Sequence, residues 1–404
     1  MTPELTRRIW FTLGALLVFR LGTFIPLPGI EPSVWEQIFR SQSGGILGTL
    51  NTISGGGIHR LAIFALGLVP YLSAAILLQL LPIISTRLRA LRSQGERGRR
   101  TLDLCTRALT ALLAILQAYG IAIGLEGVPG LVAEPGWLFR LSTVLTLTGG
   151  VMALVWLIDQ VTVRGLGNGV TLILFAGIAA EAPAAIAGMF ELARQGVLSN
   201  GMIMALVGWG VALTALVVAV ERARRHLPLV HIQRAGSDPH WHLSLKLNSA
   251  GVMPTVLASW ILSLPMVLLY AVAPEWSGGP LAYGGPLFLT AYAILIVACT
   301  FFYTAYLVDP DEAAETLKRH SALIASVTPG EPTAAHIDGV MTRLTLIGAL
   351  YLALIYLVPA VMVATVSLPF YFGGASLLIV VCAILDLEDH IRGFASVRTG
   401  VRHQ

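Results

Sequence analysis

The sequence predicts an all-α polytopic membrane protein with ten transmembrane helices, and three observations carry this prediction. First, 56% of the 404 residues are hydrophobic and 12% are charged, whereas soluble domains carry about 25% charged residues. Second, the chain contains ten apolar windows close to the roughly 20 residues that a membrane-spanning helix needs. Third, a Gly-rich apolar stretch of half that length precedes the second window. A half-helix at membrane depth survives only where protein or a water-filled cavity surrounds it.

The apolar windows also predict the topology. Lys and Arg concentrate at the N-terminus, in the loops that follow windows two, four, six and eight, and in the C-terminal tail. Because basic residues mark cytoplasmic loops, both termini are predicted to be cytoplasmic. The windows cover about residues 9–27, 61–83, 104–124, 139–159, 168–188, 201–221, 251–273, 287–308, 341–362 and 370–386.

Ten spans divide into two halves of five, which we predict at residues 1–190 and 191–404. An odd number of spans in each half makes the second half enter the membrane upside down relative to the first. The sequence thus predicts two inverted five-helix halves, as in inverted-repeat transport proteins. The second half contains two long cytoplasmic loops, at residues 222–249 and 309–339.

Several short strings identify a family more specifically than hydropathy does. In their order and spacing they resemble the SecY family, the pore-forming subunits of the protein translocation channel, over residues 5–390. The resemblance implies an hourglass pore that a short plug half-helix closes, an apolar ring seals at its waist, and a lateral gate opens into lipid. The strings are FIPLPGI (24–30), SGGG (54–57), IFALGLVPYLSA (63–74), RGLGNGVTLILFAGI (164–178), LKLNSAGVMP (245–254), PGEPTA (329–334), VMTRLTLIGALY (340–351) and PFYFGGASLLIVV (369–381).

Residues 46–59 match the plug of the family. Apolar residues at a spacing of three to four give this half-helix one apolar face, and a glycine triplet after it is expected to serve as a mobile hinge. An ordinary re-entrant connector is the alternative that the residues alone leave open. The predicted plug residues are Ile46, Leu50, Ile53, Gly55, Gly56 and Gly57.

The resemblance also places a waist ring and a lateral gate. Aliphatic side chains bind neither ions nor polar groups, so a ring of them dewets and seals an idle pore. On periodicity alone, ordinary packing or lipid contact is the better account of each ring residue, and an interhelical hydrogen bond is the better account of each polar gate residue. Only the resemblance favours the ring and the gate. The ring comprises Leu68, Leu72, Val170, Leu174, Val256 and Ile379, and the gate comprises Ser73, Gln79, Asn248 and Pro254.

The cytoplasmic loops carry the predicted partner contacts. In the family an Arg directly precedes the Pro-Gly-Glu motif of the eight/nine loop and is important for contact with the motor ATPase SecA, whereas this chain has Thr328. That loop is also acidic, which opposes binding of ribosomal RNA. An accessory SecY with restricted clients therefore stays an alternative. The predicted contact residues are Arg97, Arg99, Arg100, Arg222, Arg224, Arg225, Lys318, Arg319, Thr328 and Glu331.

The resemblance implies the partners and the location. SecE and SecG are the expected membrane partners, SecA or a ribosome supplies the energy, and unfolded preproteins are the substrates. Membrane lipid receives the apolar segments. The location is the bacterial cytoplasmic membrane.

Two other function classes find less support in the residues. A secondary transporter places ionisable residues near the midplane, but the span interiors are read as almost charge-free, with Arg20, Asp159 and Asp386 as exceptions. An intramembrane enzyme needs a catalytic constellation, and the chain has no HExxH, GxSxG or GxxxxGK[ST] string. Histidines 226, 231, 240 and 242 predict a solvated loop and not a metal site. We predict no catalytic residue, cofactor or metal.

Overall fold

The structure is a computed structural model that describes residues 3–42, 51, 54–85, 96–196, 199–231, 242–259, 261–262, 285–319, 322–324, 327–328, 330–366 and 374–399. Most of these residues are helical. The helices are α1 (Pro3–Gly22), α2 (Pro32–Gln42), α3 (Val69–Ile84), α4 (Glu96–Glu126), α5 (Trp137–Arg164), α6 (Gly169–Arg194), α7 (Asn200–Arg222), α8 (Pro286–Leu307), α9 (Pro310–Arg319), α10 (Glu331–Val366) and α11 (Gly374–Thr399). The strands are β1 (Arg224–His231), β2 (His242–Lys246) and β3 (Ala322–Ile324).

The helices confirm the predicted membrane fold. Among the described residues, six helices are long and apolar enough to cross a membrane: α4, α5, α6, α7, α8 and α10. Helices α1, α3 and α11 coincide with the first, second and tenth predicted windows. Residues 253–259 and 261–262 are helical at the start of the seventh window, whose remainder lies outside the described residues. The count of ten spans therefore stays a prediction.

The chain packs as two compact units. The first comprises Met1–Leu198, Pro369–Tyr371 and Cys382–Gln404, and the second comprises Ser199–Leu368 and Phe372–Val381. The predicted boundary between residues 190 and 191 and the predicted inversion of the halves stay predictions.

In the first unit, α4 and α5 form a tightly packed hairpin. Ala114, Ala118 and Ala122 recur at every fourth position of α4 and are completely buried, because small side chains on one helix face let a neighbouring backbone approach closely. An ion pair joins the end of α4 to the start of α5. The Arg140 Nη2 atom lies 2.6 Å from Glu126 Oε2, and the backbone N–H of residue 136 donates to Glu126 Oε1 at 2.9 Å.

Two adjacent glycines of α5 allow a matched test of this packing. A Cβ atom on Gly150 would lie 2.1 Å from the carbonyl oxygen of Ile63, so Gly150→Ala should force backbone apart and destabilise the protein by about 1–3 kcal/mol. A Cβ atom on Gly149 meets no heavy atom within 4 Å in the described part of the chain. Gly149→Ala should therefore be neutral, or stabilising by about 0.5–1 kcal/mol. The midpoint of thermal unfolding in detergent compares the stabilities of the two variants. Equal midpoints would contradict the close approach of Gly150 to the Ile63 backbone.

The second unit contains a small antiparallel sheet that the sequence analysis did not predict. Its strand order is β2-β1-β3, so the two predicted cytoplasmic loops combine into one folded element. The sheet packs against α9 and the start of α10 through an apolar core that includes Leu227, Ile324, Ile337 and Met341. This apolar core stabilises the sheet, because an isolated two-stranded hairpin is only marginally stable in water.

The sheet changes the interpretation of the loop histidines. His226, His231 and His242 lie on strands and not in an irregular loop, while residue 240 lies outside the described residues. The rings of His226 and His242 meet edge to face with centroids 4.4 Å apart. Among the described residues, no group of three or more His, Cys, Asp or Glu side chains could hold a metal ion.

Candidate functional site

The predicted ring residues of the first unit lie at the starts of two helices. The backbone N–H of Leu72 donates to the Leu68 carbonyl at 2.9 Å, so both side chains lie on one face of the chain as it enters α3. Both are buried. On α6, Val170 is half-buried and Leu174 is buried one turn later.

The start of α6 is fixed by its own sequence. Asn168 is its N-cap, and the side-chain Oδ1 atom accepts from the Val170 N–H at 2.9 Å, which satisfies one of the unpaired donors of the first turn. A Cβ atom on Gly169 would lie 2.2 Å from the carbonyl oxygen of Ile158. The glycines of the RGLGNG string thus permit close packing of α5 on α6, and they set the position of the ring residues on α6.

The second unit holds the other two ring residues. Val256 is half-buried on the helical residues 253–259, and Ile379 is buried on α11. Assignment of all six residues to one ring stays a prediction.

The predicted plug is described only in its C-terminal part. Ile46, Leu50 and Ile53 lie outside the described residues. Asn51 holds the turn that follows, because its Oδ1 atom accepts from the His59 N–H at 2.7 Å and its carbonyl accepts from the Gly56 N–H at 2.9 Å. Helix α2 supports the same segment, since Trp35 Nε1 donates to the Ile58 carbonyl at 3.0 Å.

The glycine triplet is buried in a place where no side chain fits. Gly55 and Gly56 have φ values of +68° and +81°, a region that non-glycine residues rarely adopt. A Cβ atom on Gly55 would lie 3.1 Å from the Gly177 Cα atom of α6 and 3.3 Å from the Phe19 ring of α1. The structure therefore explains these glycines by left-handed backbone and close approach, and the mobile hinge stays a prediction.

Three charged side chains lie against this triplet and Phe24 lies beside two of them; we call Arg20, Phe24, Arg60 and Glu181 the hinge cluster. Arg20 Nη1 donates to the carbonyl of residue 55 at 2.8 Å, and Arg60 Nη1 donates to that of residue 56 at 3.2 Å. The Cζ atoms of the two arginines lie 4.7 and 4.3 Å from the centroid of the Phe24 ring. Glu181 Oε1 would be 2.3 Å from a Cβ atom on residue 56, so the carboxylate also lies against the triplet.

Two of the four predicted gate residues, Ser73 and Asn248, make side-chain hydrogen bonds inside their own units. The Ser73 hydroxyl donates to the Val69 carbonyl one turn back on α3, and Gln79 is half-buried. Asn248 is buried and holds the start of the seventh span. Its Nδ2 atom donates to Glu221 Oε1 at 2.8 Å, and its Oδ1 atom accepts from the backbone N–H of residue 251 at 3.1 Å. Pro254 is buried near the start of the helical residues. The gate role stays a prediction.

Replacement of Asn248 by Ala should destabilise the second unit by about 1–2 kcal/mol, because the change removes the hydrogen bonds that this buried side chain makes to the Glu221 carboxylate and to the backbone of residue 251. Ser249→Ala is the matched control, since the Ser249 hydroxyl makes a solvent-exposed bond to the Lys246 carbonyl. Thermal unfolding of the purified protein compares the two. A control that is as destabilised as Asn248→Ala would contradict this role.

Two further hydrogen bonds tie the seventh span to other helices of the second unit. Tyr356 of α10 donates its hydroxyl to Thr255 Oγ1 at 2.7 Å. The hydroxyls of Ser259 and of Tyr292 on α8 lie 2.7 Å apart. Buried hydroxyls of this kind act as glue between membrane helices.

The predicted partner contacts are exposed wherever their side chains are described. Arg319 Nη2 lies 2.7 Å from Glu315 Oε1, and this carboxylate raises the pKa of the Arg319 guanidinium, which therefore stays charged. The Thr328 carbonyl accepts from the Thr333 hydroxyl at 2.8 Å, while its side chain is exposed. The other exposed residues are Arg97, Arg100, Arg222, Arg224, Arg225, Lys318 and Glu331, and Arg99 has no described side chain.

Several residues of the site escaped the sequence analysis. Glu181 lies inside the fifth predicted window, so the interpretation of the span interiors as almost charge-free overlooked it. Asp159 did stand out, and its carboxylate pairs with Arg107 at 2.7 Å. Glu221 and Tyr356 carried no usable signal, because their roles depend on residues far away in the chain.

Comparisons with known proteins agree with this geometry. The family model described as SecY matches residues 62–387. The protein translocase subunit SecY of Escherichia coli (strain K12) is 43% identical over 409 residues, which cover 96% of this chain and 91% of that protein. A solved protein-conducting channel superposes with a TM-score of 0.71 at 18% identity, over 99% of this chain and 95% of that one. Sec61 in the canine ribosome-channel complex gives 0.67 at 15% identity, over 99% and 95%.

Proposed function

This chain belongs to the SecY family, and we propose that it passes unfolded, signal-bearing polypeptides across the bacterial cytoplasmic membrane and releases their apolar segments into lipid. It is a multi-pass membrane protein and a protein-conducting channel subunit. As a channel subunit it is not an enzyme by itself. The observation that carries the function is similarity to a translocase subunit over 96% of the chain.

The ring supplies the seal of the proposed channel. Its six residues are all aliphatic, so they offer no ligand to an ion and no hydrogen bond to water, and a constriction lined by them dewets. The same side chains can move aside for any unfolded chain, which explains how one pore serves substrates of different sequence. The buried glycine turn is the point from which the plug would swing.

Lateral release follows from partitioning between water and lipid. A segment rich in Leu, Ile or Phe gains about 0.3–0.6 kcal/mol per residue at the centre of the membrane, whereas Lys or Asp costs about 2.5–3.5 kcal/mol. The channel therefore needs only a gate that exposes the passing segment to lipid. We assign this gate to Ser73 and Gln79 of the second span and to Asn248 and Pro254 of the seventh.

The energy must come from partners. We assign SecE and SecG as membrane partners, and SecA or a ribosome as the source of energy on the side where both termini lie. The fold that this chain shares with Sec61 in a ribosome complex supports the ribosome, and the exposed arginines of α4 and β1 suit an anionic partner. The acidic α9 opposes binding of ribosomal RNA, because its side chains Asp311, Glu312 and Glu315 are all exposed.

A specialised accessory SecY is the second candidate. Thr328 and the acidic α9 favour it, because both weaken the contacts that the family makes in this loop. The secondary-transporter alternative has less support than either, and the carboxylate of Asp159, one of the ionisable residues it relied on, is engaged in an ion pair with Arg107.

Reconstitution tests the proposed function. The chain is purified with its cognate SecE and SecG, placed in liposomes, and supplied with SecA, ATP and a preprotein. Translocation is read as protection of the preprotein from added protease. We expect ATP-dependent protection, and the matched control is a preprotein without its signal segment. Equal protection of both, or no protection with a complex that is intact, would contradict the proposal.

A further inference from the structure

We propose that Arg20, Arg60 and Glu181 of the hinge cluster form a latch that holds the plug of the idle channel closed. This inference rests on the proposed function, since it requires the segment before residue 55 to be a plug. All the contacts that carry it lie within the first unit.

The first step is the pair of bonds to the hinge backbone. Arg20 reaches the carbonyl of residue 55 from α1 at 2.8 Å, and Arg60 reaches the carbonyl of residue 56 at 3.2 Å. Bonds from a charged donor are about twice as strong as neutral ones. Arg20 lies on a separate helix, so movement of the plug about this hinge would lengthen or break its bond, while the bond from Arg60, four residues along the chain, holds the turn itself in shape.

The second step is the shared aromatic ring. Both guanidinium groups lie within 5 Å of the centroid of the Phe24 ring, at 4.7 and 4.3 Å. A ring face attracts cations, so Phe24 favours the placement of both arginines beside the hinge. Two like charges gathered at one ring also repel each other.

The third step is the role of Glu181. Its Oε1 atom and the Arg60 Nη1 atom would lie 2.3 and 2.5 Å from the same Cβ position on residue 56, and Arg20 also interacts electrostatically with this carboxylate. Charged groups at membrane depth require partners. Glu181 therefore offsets the repulsion between the arginines and keeps both of them aimed at the hinge carbonyls.

Planar-bilayer conductance of the reconstituted complex tests the latch. Arg20→Gln removes one bond to the hinge, and Glu181→Gln leaves the two arginines unbalanced. We expect the idle conductance of each variant to rise about tenfold, which corresponds to a shift of about 1.4 kcal/mol in the equilibrium between the closed and open states. Arg20→Lys keeps the charge and should restore most of the seal.

Glu191→Gln is the matched control. Glu191 lies on the same helix, α6, and its carboxylate is exposed beside Arg194 at 3.5 Å, so its removal should leave the idle conductance unchanged. A latch acts only on the closed state. The translocation rate of an engaged substrate should therefore be the same in all variants, whereas a general folding defect would lower it.

A channel that lacks residues 46–53 separates the possible outcomes. If this deletion leaks while Arg20→Gln and Glu181→Gln conduct like the unaltered channel, the latch is wrong and the plug stands. If the deletion itself does not leak, the plug assignment fails, and the latch fails with it. Leakage of the deletion and of both point variants, with a tight Glu191→Gln control, is the result that the latch predicts.

Discussion

Replacing Leu72 and Val256 with Asn should make the idle channel leak ions by about tenfold or more, because each 1.4 kcal/mol removed from the barrier to water entry is worth a factor of about ten in rate. Asn offers hydrogen bonds to water in a constriction that otherwise offers none. Leu72 is buried at the start of α3 and Val256 is half-buried on the helical residues 253–259, and Asn is no larger than either side chain, so the substitutions change polarity without overpacking. Single-channel recording in planar bilayers measures the leak.

Two controls isolate the polarity of the ring. Leu72→Val combined with Val256→Leu keeps both positions apolar and should stay tight. Leu77→Asn places the same polar group on an exposed position of α3 and should also stay tight. An idle conductance for the double Asn variant equal to that of these controls would rule out the ring assignment.

Replacing Thr328 with Arg should raise SecA-dependent export by about tenfold if SecA is the motor, because a charge-assisted hydrogen bond at an interface is worth about 1.5–3 kcal/mol. The Thr328 side chain is exposed, and only its backbone carbonyl takes part in a described bond, with the Thr333 hydroxyl. The substitution should therefore leave the local fold intact. The measurement is the initial rate of preprotein translocation into vesicles at limiting SecA.

Thr316→Arg is the matched control for this gain. Thr316 is exposed on α9, so the variant adds the same charge to the same loop without restoring the family motif. A gain in both variants would mean that general electrostatic attraction is responsible. No gain in either would mean that another contact replaces the missing Arg or that SecA is not the motor.

Hydropathy predicts the helices of this chain well, because lipid permits few backbone solutions other than a helix of about 20 apolar residues. Helices α4, α5 and α7 coincide with predicted windows for this reason. Hydropathy is averaged over a window of residues, and this averaging hides single charged side chains. Helix α6 is apolar enough to cross a membrane although it contains Glu181, which is why the sequence analysis overlooks this carboxylate.

The sheet of the second unit is not predicted from the sequence for a different reason. The β2 sequence HLSLK alternates apolar and polar residues, as a half-buried strand does, but the sequence analysis places this segment in a cytoplasmic loop. Strand β3 has only three residues and forms because β1 pairs with it, with Leu229 opposite Ile324. Such pairing between distant segments leaves no local signal.

For the glycine triplet, the sequence indicates the right residues but explains only in part why they must be glycine. The SGGG string indicates a special backbone, and the structure confirms positive φ values at Gly55 and Gly56. The close approach of Gly177 and Phe19 depends on how α1 and α6 pack. The resemblance predicts a plug here, whereas only the structure shows which side chains contact the glycine triplet.

Complementation tests the central claim most directly. The resident SecY of a bacterial host is depleted, this chain is expressed with its cognate SecE, and cleavage of a signal-bearing periplasmic reporter is followed. A general protein-conducting channel should restore cleavage and growth despite Thr328 and the acidic loop. Absence of cleavage, with the chain stably inserted and bound to SecE, would contradict a general translocase and would favour an accessory channel with its own motor or clients.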